Sequence, residues 1–155
     1  MDSSANSLDA IVNPTPENSQ TSLSPAIIGF YIIAVLFNLC LVAQVLTVGL
    51  AYFDNSGWWN THVWLVRSYS GLSLILLLWV YLVPFPQRVR MLTLSLPILL
   101  GLQFFTIHAQ LPLPFSLAIL HPLLGFSLFS ASTTLVHRVG NILSPAKNEN
   151  KFTTI

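Results

Sequence analysis

Charge is scarce in this chain. Asp, Glu, Lys and Arg make up only 7% of it, against about 25% in a soluble domain. Acids are scarcer still in the body of the sequence, where Asp54 stands alone between Glu17 and Glu149. That absence removes paired-carboxylate acid–base chemistry. It also argues against a proton or cation carrier, which needs an Asp or Glu within an apolar stretch. No HExxH, nucleophile-elbow or glycine-rich phosphate-loop sequence is present, so the chemistries those motifs serve lack their residues. A formal net charge of +1 without a basic cluster excludes nucleic acid as a partner. Cysteine is nearly absent too. Cys40 has no second thiol to pair with and reads as a small buried apolar side chain. CxxCH is missing, so covalent haem attachment through that motif is excluded.

What remains is apolar: 54% of the residues are hydrophobic. Four stretches, residues 25–50, 62–83, 91–109 and 115–137, each approach or exceed the roughly 20 residues that carry a helix across a hydrocarbon core. Runs of this length are too long for buried strands. The expected fold class is all-α membrane, a four-transmembrane-helix up-and-down bundle in the lipid bilayer. Residues 25–138 form that domain. Residues 1–24 are rich in Ser, Asn, Pro and Thr and hold three acids and no Lys or Arg. Such a segment buries too little apolar area to offset its ordering entropy, so a disordered tail is expected. It also lacks the basic start of a signal peptide, so the first span is expected to stay in the mature protein. Residues 139–155 are expected to be a second polar tail.

The cations orient the bundle. Four crossings place both termini and the connection around residues 84–90 on one side, with Arg88, Arg90, Arg138, Lys147 and Lys151. The loops of the other side carry no Lys or Arg. The positive-inside rule then predicts cytoplasmic termini; whether the membrane is a plasma or a thylakoid membrane does not follow from the cations, and a bacterial one is an expectation that rests on the resemblance given below. Tyr52, Trp58, Trp59 and Trp64 cluster around the first outer loop as an interfacial anchor.

Polar residues inside lipid-soluble helices are costly and point to a site. Here they recur. Gln44 precedes His62 by eighteen residues, and Gln103 precedes His121 by the same interval. The two copies lie fifty-nine residues apart, and the same shift superposes Thr47 on Thr106, Ser68 on Ser127 and Ser73 on Ser132. This predicts two parallel two-helix repeats about an axis along the membrane normal. It predicts further that His62 and His121 start their helices near the outer face and converge across that axis. Two neutral imidazoles so placed suit the axial positions of a b-type haem. Gln44 and Gln103, one to two turns into the neighbouring spans, would support them or hydrogen-bond between helices. The plainer reading of each histidine is a hydrogen-bonding residue at a helix start.

Other polar residues are less symmetric. Arg67 lies five residues beyond His62, about 7.5 Å deeper at the helical rise. It either snorkels to headgroups near Asp54 or serves a buried anion such as a haem propionate or quinol oxygen. Phe126 occupies its place in the second copy, so any such role belongs to one half. His108 closes the third span, as a further member of the site or as a wet helix end. His137 beside Arg138 reads as headgroup-facing. Pro122 after His121 either bends the helix or marks its first turn. Pro97 lies deeper and frees the Thr93 carbonyl. Gly125, one turn after His121, leaves room for a flat ring or for close packing.

The segments Gln44-Val-Leu-Thr-Val-Gly-Leu, Trp59-Asn-Thr-His62 through Arg67 and Gly71, Leu102-Gln103-Phe-Phe and His121-Pro-Leu-Leu-Gly125 resemble those of a known pattern. They look like an uncharacterised family of small four-helix bacterial membrane proteins, over about residues 26–139. The Gln-before-His layout is more distantly similar to one half of the haem A synthase bundle, which holds b-type haem between histidines. That resemblance implies His62 and His121 as ligands. The chain departs from it in having one bundle instead of two and no Glu before the first ligand, so haem A synthesis is not implied. Three functional readings follow. One is a haem b electron-transfer protein meeting a quinol or other redox partner, with Gln44, Arg67, Gln103 and His108 around the iron ligands. Another is a non-enzymatic structural or accessory subunit of a membrane complex. The third is a small carrier for a neutral molecule.

Overall fold

The computed structural model describes residues 25–108 and 116–144. The expected disordered tail 1–24, the outer loop 109–115 and residues 145–155 lie outside the described residues. Four helices make up the rest: α1 (Pro25–Phe53), α2 (Trp58–Leu82), α3 (Gln87–His108) and α4 (His121–Leu143), the last preceded by a 3-10 turn at Leu117–Leu120. All four are long and apolar enough to cross a membrane, α4 together with its preceding turn. No strand occurs among the described residues.

The surface of the bundle is strongly apolar. Ile32, Leu36, Val45, Leu46, Leu74, Leu78, Ile98, Phe105, Leu123 and Phe126 all point outwards. A soluble monomer rarely exposes a contiguous apolar surface of this kind. Several polar side chains go the other way: Thr47, Ser73, Thr93, Gln103, Thr106 and Ser132 are buried. Apolar outside and partly polar inside is the arrangement of helices packed together in lipid, so the chain has the build of an integral membrane protein.

Local chemistry sets the helix ends. α1 stops after Phe53, where the N–H groups of Asp54 and Asn55 both donate to the Leu50 carbonyl. Asn55 Oδ1 then accepts from the Gly57 N–H at 2.7 Å, and its carbonyl accepts from Trp58. This Asx turn starts α2 four residues before His62. α2 stops at Val83, whose extended backbone is the conformation a following proline imposes. In the Pro84–Pro86 link, Phe85 is 5% exposed and packs on Phe30 with ring centroids 4.6 Å apart. It closes that end of the core. α4 begins where Pro122 enters. Pro122 has no N–H to give the Ala118 carbonyl, which accepts from His121 N–H instead. The turn before it is therefore 3-10, and Pro122 marks the first turn of α4. α4 then continues to Leu143, so residues 139–143, expected in the tail, are helical.

Each helix packs on two neighbours: α1 on α2 and α4, and α3 on α2 and α4. The buried residues of α2 (Tyr69, Ser73, Leu76, Val80) and of α4 (Leu128, Ser132, Leu135, Val139) advance in steps of four, three and four. That is the seam of a left-handed bundle. Residue by residue, the second set lies fifty-nine positions after the first. The same interval relates buried Phe30, Ala34, Phe37, Leu41 and Thr47 of α1 to buried Val89, Thr93, Leu96, Leu100 and Thr106 of α3.

Candidate functional site

The polar residues gather at the end of the bundle that carries the α1–α2 connection. Gln44 and Thr47 sit one turn apart on the face of α1 turned to α2. His62, one turn into α2, lies opposite them. Gln44 Nε2 is 2.9 Å from His62 Nε2 and 3.2 Å from the His62 carbonyl oxygen. Thr47 Oγ1 is 3.2 Å from His62 Nδ1 and 2.7 Å from the Gln44 carbonyl.

These contacts determine the hydrogens. The His62 carbonyl accepts only, so it requires the amide nitrogen of Gln44, not its oxygen, on that side. The Gln44 amide therefore donates to His62 Nε2. The Thr47 hydroxyl has one proton, which goes to the near Gln44 carbonyl. Its oxygen then accepts from His62 Nδ1–H. The imidazole is neutral, protonated at Nδ1, and both ring nitrogens are engaged. Gln44 Oε1 is left buried without a partner among the described residues. Trp59 packs edge-on against the ring, 5.6 Å between centroids, and Tyr52 packs edge-on against Trp59 at the same spacing.

The second Gln–Thr–His set has the same residue types with different wiring. Thr106 Oγ1 donates to the Gln103 carbonyl at 2.9 Å, as Thr47 does to Gln44. His121 Nδ1 approaches that same carbonyl at 3.4 Å, not the threonine. The Gln103 amide lies against α4 at Gly125, where Nε2 is 3.1 Å from the position a Cβ would take. The two sets sit at one end of the bundle.

The remaining expected residues stand apart. Arg67 is exposed and lies over the Trp64 ring, 5.7 Å from its centroid. It neither enters the bundle nor turns to Asp54, whose carboxylate accepts from the Trp58 indole N–H at 3.0 Å. His108 is an exposed helix end, its Nδ1 donating to the Phe104 carbonyl at 2.8 Å. His137 is exposed at the opposite end and accepts from Asn141 at 3.2 Å. Cys40 is a free, half-buried thiol.

Two residues outside the repeat motif belong to the polar interior. Asn38 donates from one amide to Ser132 Oγ at 3.1 Å and Thr133 Oγ1 at 3.0 Å, joining α1 to α4. Its counterpart fifty-nine residues on is Pro97, so repeat matching passes over it. The signal available was an amide in mid-span. Tyr69 is 2% exposed and meets Phe37 edge-on. It extends the His62 face of α2 two turns deeper.

Residues 44–109 match a family of unknown function (DUF6220). The match begins at Gln44 and runs through α2 and α3 just past His108, so it takes in the first Gln–Thr–His set whole, with Gln103 and Thr106 of the second. Over that span the chain is similar to an uncharacterised family, as the sequence led us to expect. No curated protein and no solved structure matches the chain, and the resemblance to the haem A synthase bundle gains no support.

Proposed function

We propose that this chain is a non-enzymatic membrane protein, a structural or accessory four-helix element of a membrane assembly. In this reading its Gln–Thr–His sets are clamps between helices. The observation that carries the reading is the double engagement of His62. An iron ligand needs a free lone pair on one ring nitrogen. Here Nε2 accepts from Gln44, and Nδ1 carries the proton that goes to Thr47. The residues as arranged support this reading over bis-histidine haem. They fit interhelical hydrogen bonding, which in lipid contributes about 0.6–2 kcal/mol per contact.

The fifty-nine-residue correspondence of buried positions supports an ancestral two-helix unit used twice. Helical structure begins at Trp58 and at Leu117, so both histidines lie four residues into it. Arg88, Arg90 and Arg138 at one end support cytoplasmic termini. A fusion reporter at each terminus, read for cytoplasmic or external activity, tests that orientation.

One observation favours a second reading, haem b with a quinol or other redox partner: both imidazoles occupy the same end of the bundle, each beside its own Gln–Thr pair. A single experiment separates the two. The full chain is produced with ample haem, purified in detergent, and its reduced-minus-oxidised spectrum recorded beside those of His62→Ala and His121→Ala. The clamp reading expects no haem bands in any of them and a less stable His62→Ala protein. A b-type spectrum that disappears in either variant overturns it.

A further inference from the structure

The opposite end of the bundle carries a feature that the histidine end lacks. Between the start of α3 and the end of α4 lies an open cleft of about 460 Å³, lined by Gln87, Arg88, Met91, Leu92, Thr134 and Arg138. Its volume falls in the range of small-ligand sites, roughly 300–1,000 Å³. We propose that this cleft binds the phosphate headgroup of an anionic phospholipid.

Charge comes first. Arg88 and Arg138 face one cleft, and Arg90 on the next face of α3 buries its Nε without a partner among the described residues. The only acid in residues 25–144 is Asp54, at the far end of α1 and already bound to Trp58. Among the described residues, the two guanidinium groups have no carboxylate to meet, which leaves their forks open to an anion. Guanidinium forks suit phosphate oxygens. Thr134 and Gln87 add neutral hydrogen-bonding groups. The positive dipole end of α3 also lies on this side.

Position selects the lipid. Both walls are membrane-spanning helices, and the cleft lies at their ends, where headgroups sit. Met91 and Leu92 continue the wall towards the hydrocarbon, so a phosphate held by the arginines has an apolar surface below it for its acyl chains. Basic clefts between spanning helices at this depth bind anionic headgroups. A soluble phosphate would use only the polar half of such a cleft.

The test is native mass spectrometry of the full chain, released from detergent after titration with phosphatidylglycerol or phosphatidylcholine. Phosphatidylglycerol is expected to be retained over phosphatidylcholine. Retention is expected to fall about five-fold in Arg88→Gln or Arg138→Gln, and roughly thirty-fold in the double variant. Arg138→Lys, which keeps the charge, should retain most of the binding. Arg67→Gln, at the other end, should change nothing. Should the double variant fail to fold, the single variants carry the same reading. Equal retention of the two lipids, undiminished binding in Arg88→Gln and Arg138→Gln, or an equal loss in Arg67→Gln overturns the proposal. Displacement of the lipid by millimolar inorganic phosphate overturns the lipid assignment in favour of a free anion.

Discussion

At the histidine end the two helix pairs use the same three residue types and join them in different ways. In the α1–α2 pair, the Gln44 amide reaches across to His62 and Thr47 closes the ring on its other nitrogen. In the α3–α4 pair, the Gln103 amide turns away from His121 and lies on Gly125. The residue equivalent to Gly125 in the first pair is Val66. Gly125 has no side chain there, and the Gln103 amide lies beside it, whereas the first pair carries a partly buried valine at that position. Pro122, opposite Val63, changes the second pair again, since it places a 3-10 turn directly before His121. Matching polar letters thus place matching groups at matching depth. The smaller neighbours decide which groups bond.

Deep in the bundle the halves should behave alike, and this is where the largest effects are expected. Phe37 and Leu96 are equivalent and fully buried. Their replacement by Ala is expected to cost about 3–5 and 2–5 kcal/mol respectively, read as unfolding free energy in bicelles by steric trapping. If one half tolerates the cavity and the other does not, the packing symmetry is superficial.

The clamp should break the symmetry. His62→Ala leaves one N–H of the Gln44 amide without its partner while the other keeps the residue-62 carbonyl, with an expected loss of about 1–3 kcal/mol. His121→Ala gives up one long contact and should lose well under 1 kcal/mol. A double-mutant cycle sharpens the contrast. Gln44 and His62 should couple by about 0.6–1.7 kcal/mol, while Gln103 and His121 should show coupling near zero. Equal couplings in the two pairs would remove the distinction drawn above.

Gly125→Val rebuilds the first half's neighbour in the second. The valine displaces the Gln103 amide, and coupling between Gln103 and His121 should appear where none is expected in the parent. Unchanged coupling would show that Gly125 is not what separates the halves. Asn38→Ala removes the α1–α4 amide bridge and should cost about 0.6–1.7 kcal/mol. Pro97, its counterpart, has no such bridge to lose. Arg67→Gln should change stability least, by about 0.5–1 kcal/mol at most, since an exposed cation over an aromatic ring contributes little.

Much of the fold was legible beforehand because lipid imposes few choices. A backbone in hydrocarbon must satisfy its own polar groups, and apolar runs of this length admit only helices. The four spans and the inward set Thr47, Gln103, Thr106, Ser73 and Ser132 could be read from that rule and from the cost of polar groups in lipid. The site was legible only in its membership. That Gln44 and His62 meet was readable from their spacing. Which atom donates to which depended on the His62 carbonyl beside the Gln44 amide, a contact with no signature in the sequence. Arg67 shows the same limit. Its depth was readable, but its position over Trp64 on the lipid side depends on the rotation of α2.

Composition and length by themselves determined four apolar helices long enough to cross a membrane, because hydrophobic length and the cost of burying charge are properties of the chain alone. The spacing of Gln and His determined that polar groups collect at one end. The tertiary structure decided what they do there. Hydrogen bonds are directional and short, so the packing around each amide decides its partner: Gln44 meets an imidazole, and Gln103 lies beside Gly125. It also brought Arg88 and Arg138, fifty residues apart in the chain, to the two walls of one cleft.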